Sequence, residues 1–325
     1  MKKLTITFML LLMSVFLFAG GNGEKTASGS YLIGISKIVS HPALDAIEEG
    51  IQDELKDQGF SNLRYDLQNA NGEMSTAASI ANKFKTEKVD VAVGIATPTA
   101  QALVNGLKNI PVVYSAVTDP VGAGIIASTA KGEEGVAGVS DMTPVKDQIK
   151  LLQRMVDLKT LGHIYSSGEA NAVALAKIAE NACSELGIKF IATTVTNSSE
   201  VKQAAQSIAG KVDAIYISTD NTVVSALPSV SDVAAKAGIP ILSADPTSAK
   251  DLNILAAWGF DYYKVGRATG RIVAAILNGK DTADMPTVFM TDPSDVDLLV
   301  NKNVAKMLGI TIPADILASA RTVVE

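Results

Sequence analysis

The chain has 325 residues, with 28 Lys and Arg against 34 Asp and Glu for a formal net charge of −6, and no basic cluster beyond its first residues. That excludes the electrostatic footprint of a nucleic-acid partner or any other polyanion. With 47% hydrophobic residues and one cysteine, the composition is globular, large enough for two lobes with full cores, and without an internal disulfide.

Lys2 and Lys3 precede an apolar run, Leu4–Phe18, that ends in the small residues Ala19, Gly20 and Gly21. This is the order of a secretory signal, assigned to residues 1–22, with a polar linker over 23–30; an uncleaved anchor is the alternative. The run is short for a membrane-spanning helix, and the mature domain is expected to be extracytoplasmic, in the periplasm or at the cell surface. Leu17-Phe18-Ala19-Gly20-Gly21 has the form of a bacterial lipoprotein processing site with Gly21 where the acceptor cysteine would stand, so the site as written cannot be lipidated. Cys183, on an alanine-rich helical stretch, reads as a buried structural thiol.

From Tyr31 onward, short β-branched runs alternate with amphipathic helical stretches. The runs are Leu32–Ser36, Leu63–Leu67, Val89–Ile95, Val112–Val117, Gly162–Tyr165, Lys189–Thr194, Val212–Ser218, Ile239–Ser243 and Ile254–Trp258. This β-α-β-α order implies an α/β fold: parallel sheets covered on both faces, with ligands at the carboxyl ends of the strands.

The chain also matches itself. Lys88–Thr97 aligns without a gap on Lys211–Asp220, and Ile110-Pro111-Val112-Val113 on Ile239-Pro240-Ile241-Leu242. The helix opening after His41 reaches Gly59 over the same interval that takes the helix opening at Glu169 to Gly187. One α/β unit is therefore present twice, and two such lobes joined by a hinge enclose a cleft suited to a small solute. Lobe one is expected over 31–138 with a returning helix at about 260–282, and lobe two over 139–259 with a C-terminal segment at about 283–325.

The repeat pairs His41 with Glu169 and Thr97 with Asp220, and sets Ser115 near the level of Ser243 and Asp245. For an α-amino acid, Asp220 is the first choice to accept the ammonium group, with Glu169 and Asp245 as competitors. Thr97, with the N–H groups of the helix it begins and Pro98 in its first turn, suits the carboxylate. Ser115 and Thr118 add hydroxyls, Asn171 and Asn221 stand near helix starts, and His41 and Asn69 lie in loops at the cleft rim. Each has a plainer reading as a helix cap or turn former. Tyr165 and Trp258 end strands, where they either stack on an aromatic ligand or pack in the core. His163, inside a strand, reads as core.

Gly122–Ala127 loosely fits a dinucleotide-binding pattern, but it follows the fourth strand rather than the first. No phosphate loop, paired-histidine metal motif or nucleophile elbow occurs, so neither a cofactor, a metal nor catalysis is expected.

Several blocks, in order along the mature chain, carry a family resemblance: Tyr31–Ile35, His41–Asp45, Asn69–Gly72, Ala96–Gln101, Ser115–Pro120, Gly138–Asp141, Ser167–Asn171, Asp220-Asn221, Ile239-Pro240 and Asp261–Tyr263. Together they resemble the ABC transporter substrate-binding proteins of the tryptophan/tyrosine type. The resemblance implies a type I periplasmic-binding-protein fold of two Rossmann-like lobes, a hinge of crossing segments, a permease partner and an amino-acid ligand, aromatic ones included. It adds Ala96 and Ser167 to the candidate binding residues. A sensor, a binding protein for a nucleoside or other small solute, and an exported α/β enzyme remain the alternatives.

Overall fold

The computed structural model describes residues 30–325; the expected signal and most of the linker, over 1–29, lie outside the described residues. The first half runs β1 (Tyr31–Lys37), α1 (Pro42–Asp57), β2 (Leu63–Asn69), α2 (Met74–Glu87), β3 (Val91–Ile95), α3 (Thr97–Gly106), β4 (Val112–Ser115) and β5 (Val136–Ser140). The second runs α4 (Val145–Met155), β6 (Thr160–Ser166), α5 (Ala170–Leu186), β7 (Lys189–Val195), α6 (Val201–Ala209), β8 (Ala214–Ile217), α7 (Asn221–Ser225), α8 (Leu227–Ala237), β9 (Ile241–Ser243), α9 (Pro246–Ala249) and β10 (Ala256–Phe260). The chain ends with α10 (Tyr262–Leu277), β11 (Val288–Phe289), β12 (Val296–Asn301), α11 (Lys302–Leu308), α12 (Ala314–Ser319) and β13 (Thr322–Val324).

The strands form two sheets, in the orders β11-β5-β4-β3-β1-β2 and β13-β12-β10-β9-β8-β6-β7. Strands β1 to β5 and β6 to β10 are wound identically, so the sequence repeat is a repeat of topology. Pairing is parallel apart from β10 with β12, where Trp258 faces Leu298. In each half the order reverses between the first and third strands, β1 and β3 or β6 and β8, which is where such sheets hold ligands.

The central strands are buried on both faces by their helices, which explains their continuous apolar runs; β3 has no residue that reaches solvent. In α1, Ala43, Leu44, Ile47, Ile51 and Leu55 recur at helical spacing and pack into the first core with Ile33, Ile35 and Phe84. Pro42 starts that helix without costing a hydrogen bond. The second sheet has a core on each face, one around Leu161, Leu175, Cys183 and Tyr216, the other around Ile164, Ile215, Val223 and Val230.

Three segments cross between the lobes: 141–144, Asp261, and 290–295. β5 carries the first lobe to Ser140, two residues beyond the expected boundary, because its pairing with β4 continues the first sheet. α10 lies on α1 and contributes Val265, Ala268, Ile272 and Val273 to the first core. β11 then pairs with β5, so residues 288–289 belong to the first sheet rather than the second, and β12 and β13 complete the second. The α1–α10 contact is backbone to backbone. A methyl group at Gly50 would strike the Tyr263 carbonyl, and one at Gly266 the Ile47 carbonyl.

Candidate functional site

The carboxyl ends of both sheets, with residues at two of the crossovers, enclose a small interlobe space. The first lobe supplies His41, Ala43 and Leu44 from the start of α1, and Ala116 and Thr118 from the loop after β4. Asn171, Thr219, Asp220, Asn221, Val224 and Asp245 come from the loops and helix starts of the second. One crossover adds Asp141, and the start of α10, directly after another, adds Tyr262. A recess lined from both lobes at their strand ends suits a small solute rather than a polymer.

Of the residues expected from the sequence, His41, Thr118, Asn171, Asp220, Asn221 and Asp245 meet here. The others are outside the lining, for identifiable reasons. The Ser115 hydroxyl is paired with the Thr269 hydroxyl of α10 at 2.6 Å. Glu169 is spent on the start of α7, accepting from the Asn221 side chain and from the Thr222 N–H and hydroxyl at 2.9 and 2.7 Å. Asn69 closes its own turn by accepting the Asn71 N–H at 2.8 Å. Ser167 is exposed, with its hydroxyl 3.4 Å from the Val195 carbonyl. Ala96, Thr97 and Pro98 are buried where β3 turns into α3, and no hydrogen bond reaches the Thr97 hydroxyl.

Tyr165 lies beside His163, with ring centroids 5.9 Å apart, and Trp258 lines a separate groove with Leu151 and Leu298; neither lines the interlobe space. Cys183 is buried, and burial pushes its thiol up to about 11. His163 is fully buried, with Nδ1 2.9 Å from the Tyr216 carbonyl, and burial lowers it to about 4. The glycine-rich stretch after β4 is a turn held by Asp119, which accepts the Gly122 N–H at 2.8 Å. Among the described residues, no group of three or more His, Cys, Asp and Glu side chains is placed to hold a metal ion.

Asp141, Ala43, Leu44, Ala116, Thr219, Val224 and Tyr262 were not among the expected binding residues. Asp141 and Tyr262 stand in two blocks that carry the family resemblance, but their approach depends on chain crossings that periodicity does not encode.

Asp141, Asp220 and Asp245 are all buried, and no Lys or Arg stands among the lining residues. Asp220 accepts the Ser166 N–H at 2.6 Å and the Val223 N–H at 3.0 Å, tying the end of β6 to the start of α7. Burial pushes its carboxyl up to about 8, helped by the neighbouring Glu169 charge and opposed by those backbone donors. Asp141 accepts from the Thr118 and Tyr262 hydroxyls, each at 3.1 Å, and burial raises it to about 6. Burial also holds the His41 imidazole below its usual range, against the pull of Asp245. The protein supplies no hydrogen-bond partner to either ring nitrogen of His41, to the Asn171 Oδ1 or to the Thr219 hydroxyl, all of them buried.

Two alanines at strand ends carry positive φ, Ala96 at 77° and Ala116 at 53°. Strain of this kind concentrates at binding sites, and Ala116 is in the lining. The interlobe space thus combines unspent polar atoms with an excess of buried acid.

Residues 32–324 match the ABC transporter substrate binding protein family. The chain belongs to that family. This substrate-binding protein is 36% identical over 297 residues to the tyrosine-binding protein of Clostridioides difficile, covering 90% of its own length and 85% of the relative's. It is also similar to an ABC domain from Streptococcus pneumonia solved in complex with L-Trp, at 32% identity over 91% of this chain and all of that one, with a TM-score of 0.86. The ligand-free, open structure of a substrate-binding protein with adhesive properties from Clostridium difficile gives a TM-score of 0.67, at 36% identity over 91% of this chain and 99% of that one. At similar coverage of both, the structure superposes more closely on the tryptophan complex than on the ligand-free, open form. Its family is one of transporter binding proteins and not of enzymes.

Proposed function

We propose that this substrate-binding protein is exported, and that it captures an aromatic amino acid, tyrosine, tryptophan or phenylalanine, between its lobes and presents it to the permease of an ABC importer. The observation that carries the reading is the acidity of the lining: three buried Asp side chains without a Lys or Arg among them. Acids so placed are costly to ionise alone, and a ligand that brings an ammonium group supplies the missing counter-charge.

The ligand's carboxylate has a seat at the opposite wall. Ala43 and Leu44 lie in the first turn of α1, whose N–H groups have no partner within the helix and carry its positive end. α1 thereby takes the role expected of Thr97. Leu44, Val224 and the Tyr262 ring offer an apolar surface for an aromatic side chain. The tyrosine and tryptophan named for the relatives support this class of ligand. Export rests on the Lys2-Lys3 and Leu4–Phe18 leader pattern.

A thermal-shift screen of residues 23–325 against the twenty amino acids, nucleosides and sugars tests the reading. A ligand at a hundredfold excess over its Kd adds about 2.7 kcal/mol of stability, which raises the melting temperature by several degrees. Tyrosine, tryptophan or phenylalanine should give the shift; a response confined to nucleosides or sugars would sink the amino-acid reading.

A further inference from the structure

The acids at the cleft differ in how far the protein already satisfies them. Glu169 has donors from Asn221 and Thr222. Asp220 is held by two backbone N–H groups, and one oxygen of Asp245 takes the Ser248 N–H at 3.0 Å. Each of these side chains has an oxygen occupied by a backbone N–H at the start of a helix.

Asp141 is different. It follows β5 and precedes α4 by a full turn of chain, so neither donor found on its side chain is a helix N–H. Thr118 and Tyr262 donate hydroxyls at 3.1 Å, long for O–H donors to a carboxylate, for which 2.5–2.7 Å is usual. The side chain is nonetheless buried, and it lines the interlobe space beside Tyr262. With its oxygens held by two long hydroxyl contacts rather than by backbone N–H groups, this carboxyl is the one most open to an ammonium donor.

We propose that Asp141, rather than Asp220, receives the ligand's ammonium group and is the residue that makes the site select amino acids over their desamino analogues. Asp220 then acts as the strut that joins β6 to α7. The assignment rests on the amino-acid reading above. It also explains how the ligand is felt at the hinge. Asp141 lies in one crossover, Tyr262 opens α10 directly after another, and the two are hydrogen-bonded to each other, so a cation held by Asp141 bears directly on both.

Isothermal titration of the mature protein tests the assignment, with L-tyrosine and L-tryptophan compared against 3-(4-hydroxyphenyl)propanoate and indole-3-propanoate. A charge-assisted hydrogen bond contributes roughly 10- to 150-fold in affinity, and the wild-type protein should prefer the amino acids by at least that factor. In Asp141→Asn this preference should fall below tenfold while the desamino acids bind as well as before. Asp220→Asn should reduce it less than Asp141→Asn does. A merely structural Asp141 would instead lower the melting temperature of the unliganded variant and weaken amino acids and analogues alike, which overturns the proposal.

Undiminished preference in Asp141→Asn overturns it while leaving the amino-acid reading intact; failure of every amino acid to bind the wild-type protein removes both. If the variant does not fold, a crystal structure of the wild-type protein with L-tyrosine decides. The ammonium nitrogen should lie about 3 Å from an Asp141 oxygen. Finding it on Asp220 or Asp245 instead overturns the assignment.

Discussion

Replacing Asp220 with asparagine keeps the size of the side chain and removes its titration, and the consequence should appear as a change in how stability depends on pH. In the folded protein the carboxyl is pushed from its ordinary 3.8 up to about 8. Below 3.8 both folded and unfolded chains hold the proton and the folded state has its full stability. As pH rises the unfolded chain gives up the proton first, the folded protein keeps it until about pH 8, and stability falls throughout that interval. With about 1.4 kcal/mol per pKa unit, the loss between pH 6.5 and 8.5 is about 2 kcal/mol. His41 and His163, both lowered by burial, change stability in the opposite sense near pH 6.5, but they do so in both proteins and cancel in the difference. Urea unfolding of wild type and Asp220→Asn across this range therefore isolates the carboxyl. The variant loses one acceptor for a backbone N–H, a constant offset that leaves the slope untouched. A stability difference that moves toward the variant by about 2 kcal/mol as pH rises is expected; parallel curves would show that Asp220 is ionised in the folded state and refute the reasoning.

Two backbone features give simpler tests. Ala96 has φ 77° and ψ 157°, a conformation glycine adopts freely, so Ala96→Gly should raise the urea midpoint by the equivalent of about 1 kcal/mol after the entropy cost of glycine; a lowered midpoint would mean the strain is absent. In Gly266→Ala the added methyl meets the Ile47 carbonyl and main chain, which cannot yield as a flexible side chain does. That variant should lose about 2 kcal/mol or more in the same assay, and wild-type stability would show that α10 can lift from α1 without penalty.

The parallel α/β character of both lobes was legible in the sequence because buried parallel strands are continuous apolar runs, and because the repeat supplied a second copy of the pattern. β5 escaped notice because Val136-Ala137-Gly138-Val139-Ser140 is short and interrupted by glycine; its place beside β4 needs that glycine, where a side chain would strike the Tyr114 carbonyl. β12 and β13 sit at one edge of the second sheet, reached through a crossover with no periodic signal. At the site, helix starts could be read from His41-Pro42, Thr97-Pro98 and Asp220-Asn221. Which of them face the cleft could not, because caps and ligand contacts use the same residue types. Asp220 caps α7 and lines the cleft, Glu169 is absorbed by the turn beside it, and Ser115 is absorbed by Thr269, more than 150 residues away in the chain.

On the proposed reading, the polar atoms that the protein leaves without partners would make lobe closure depend on solute. His41 stands on one lobe and Asn171 and Thr219 on the other, so separating the lobes exposes them to water, while closing the lobes buries them. A buried donor or acceptor without a partner costs about 1–3 kcal/mol, and the His41 ring nitrogens, the Asn171 Oδ1 and the Thr219 hydroxyl all carry that cost. The three aspartates of the lining add the cost of buried acid. Closure around nothing therefore works against several unfavourable contributions at once, and closure around a zwitterion removes them together: its ammonium compensates the acids, and its carboxylate takes donors from the start of α1. The same groups that select the solute thus set the lobe equilibrium, and a transporter that recognises the closed arrangement would receive the protein with its cargo aboard.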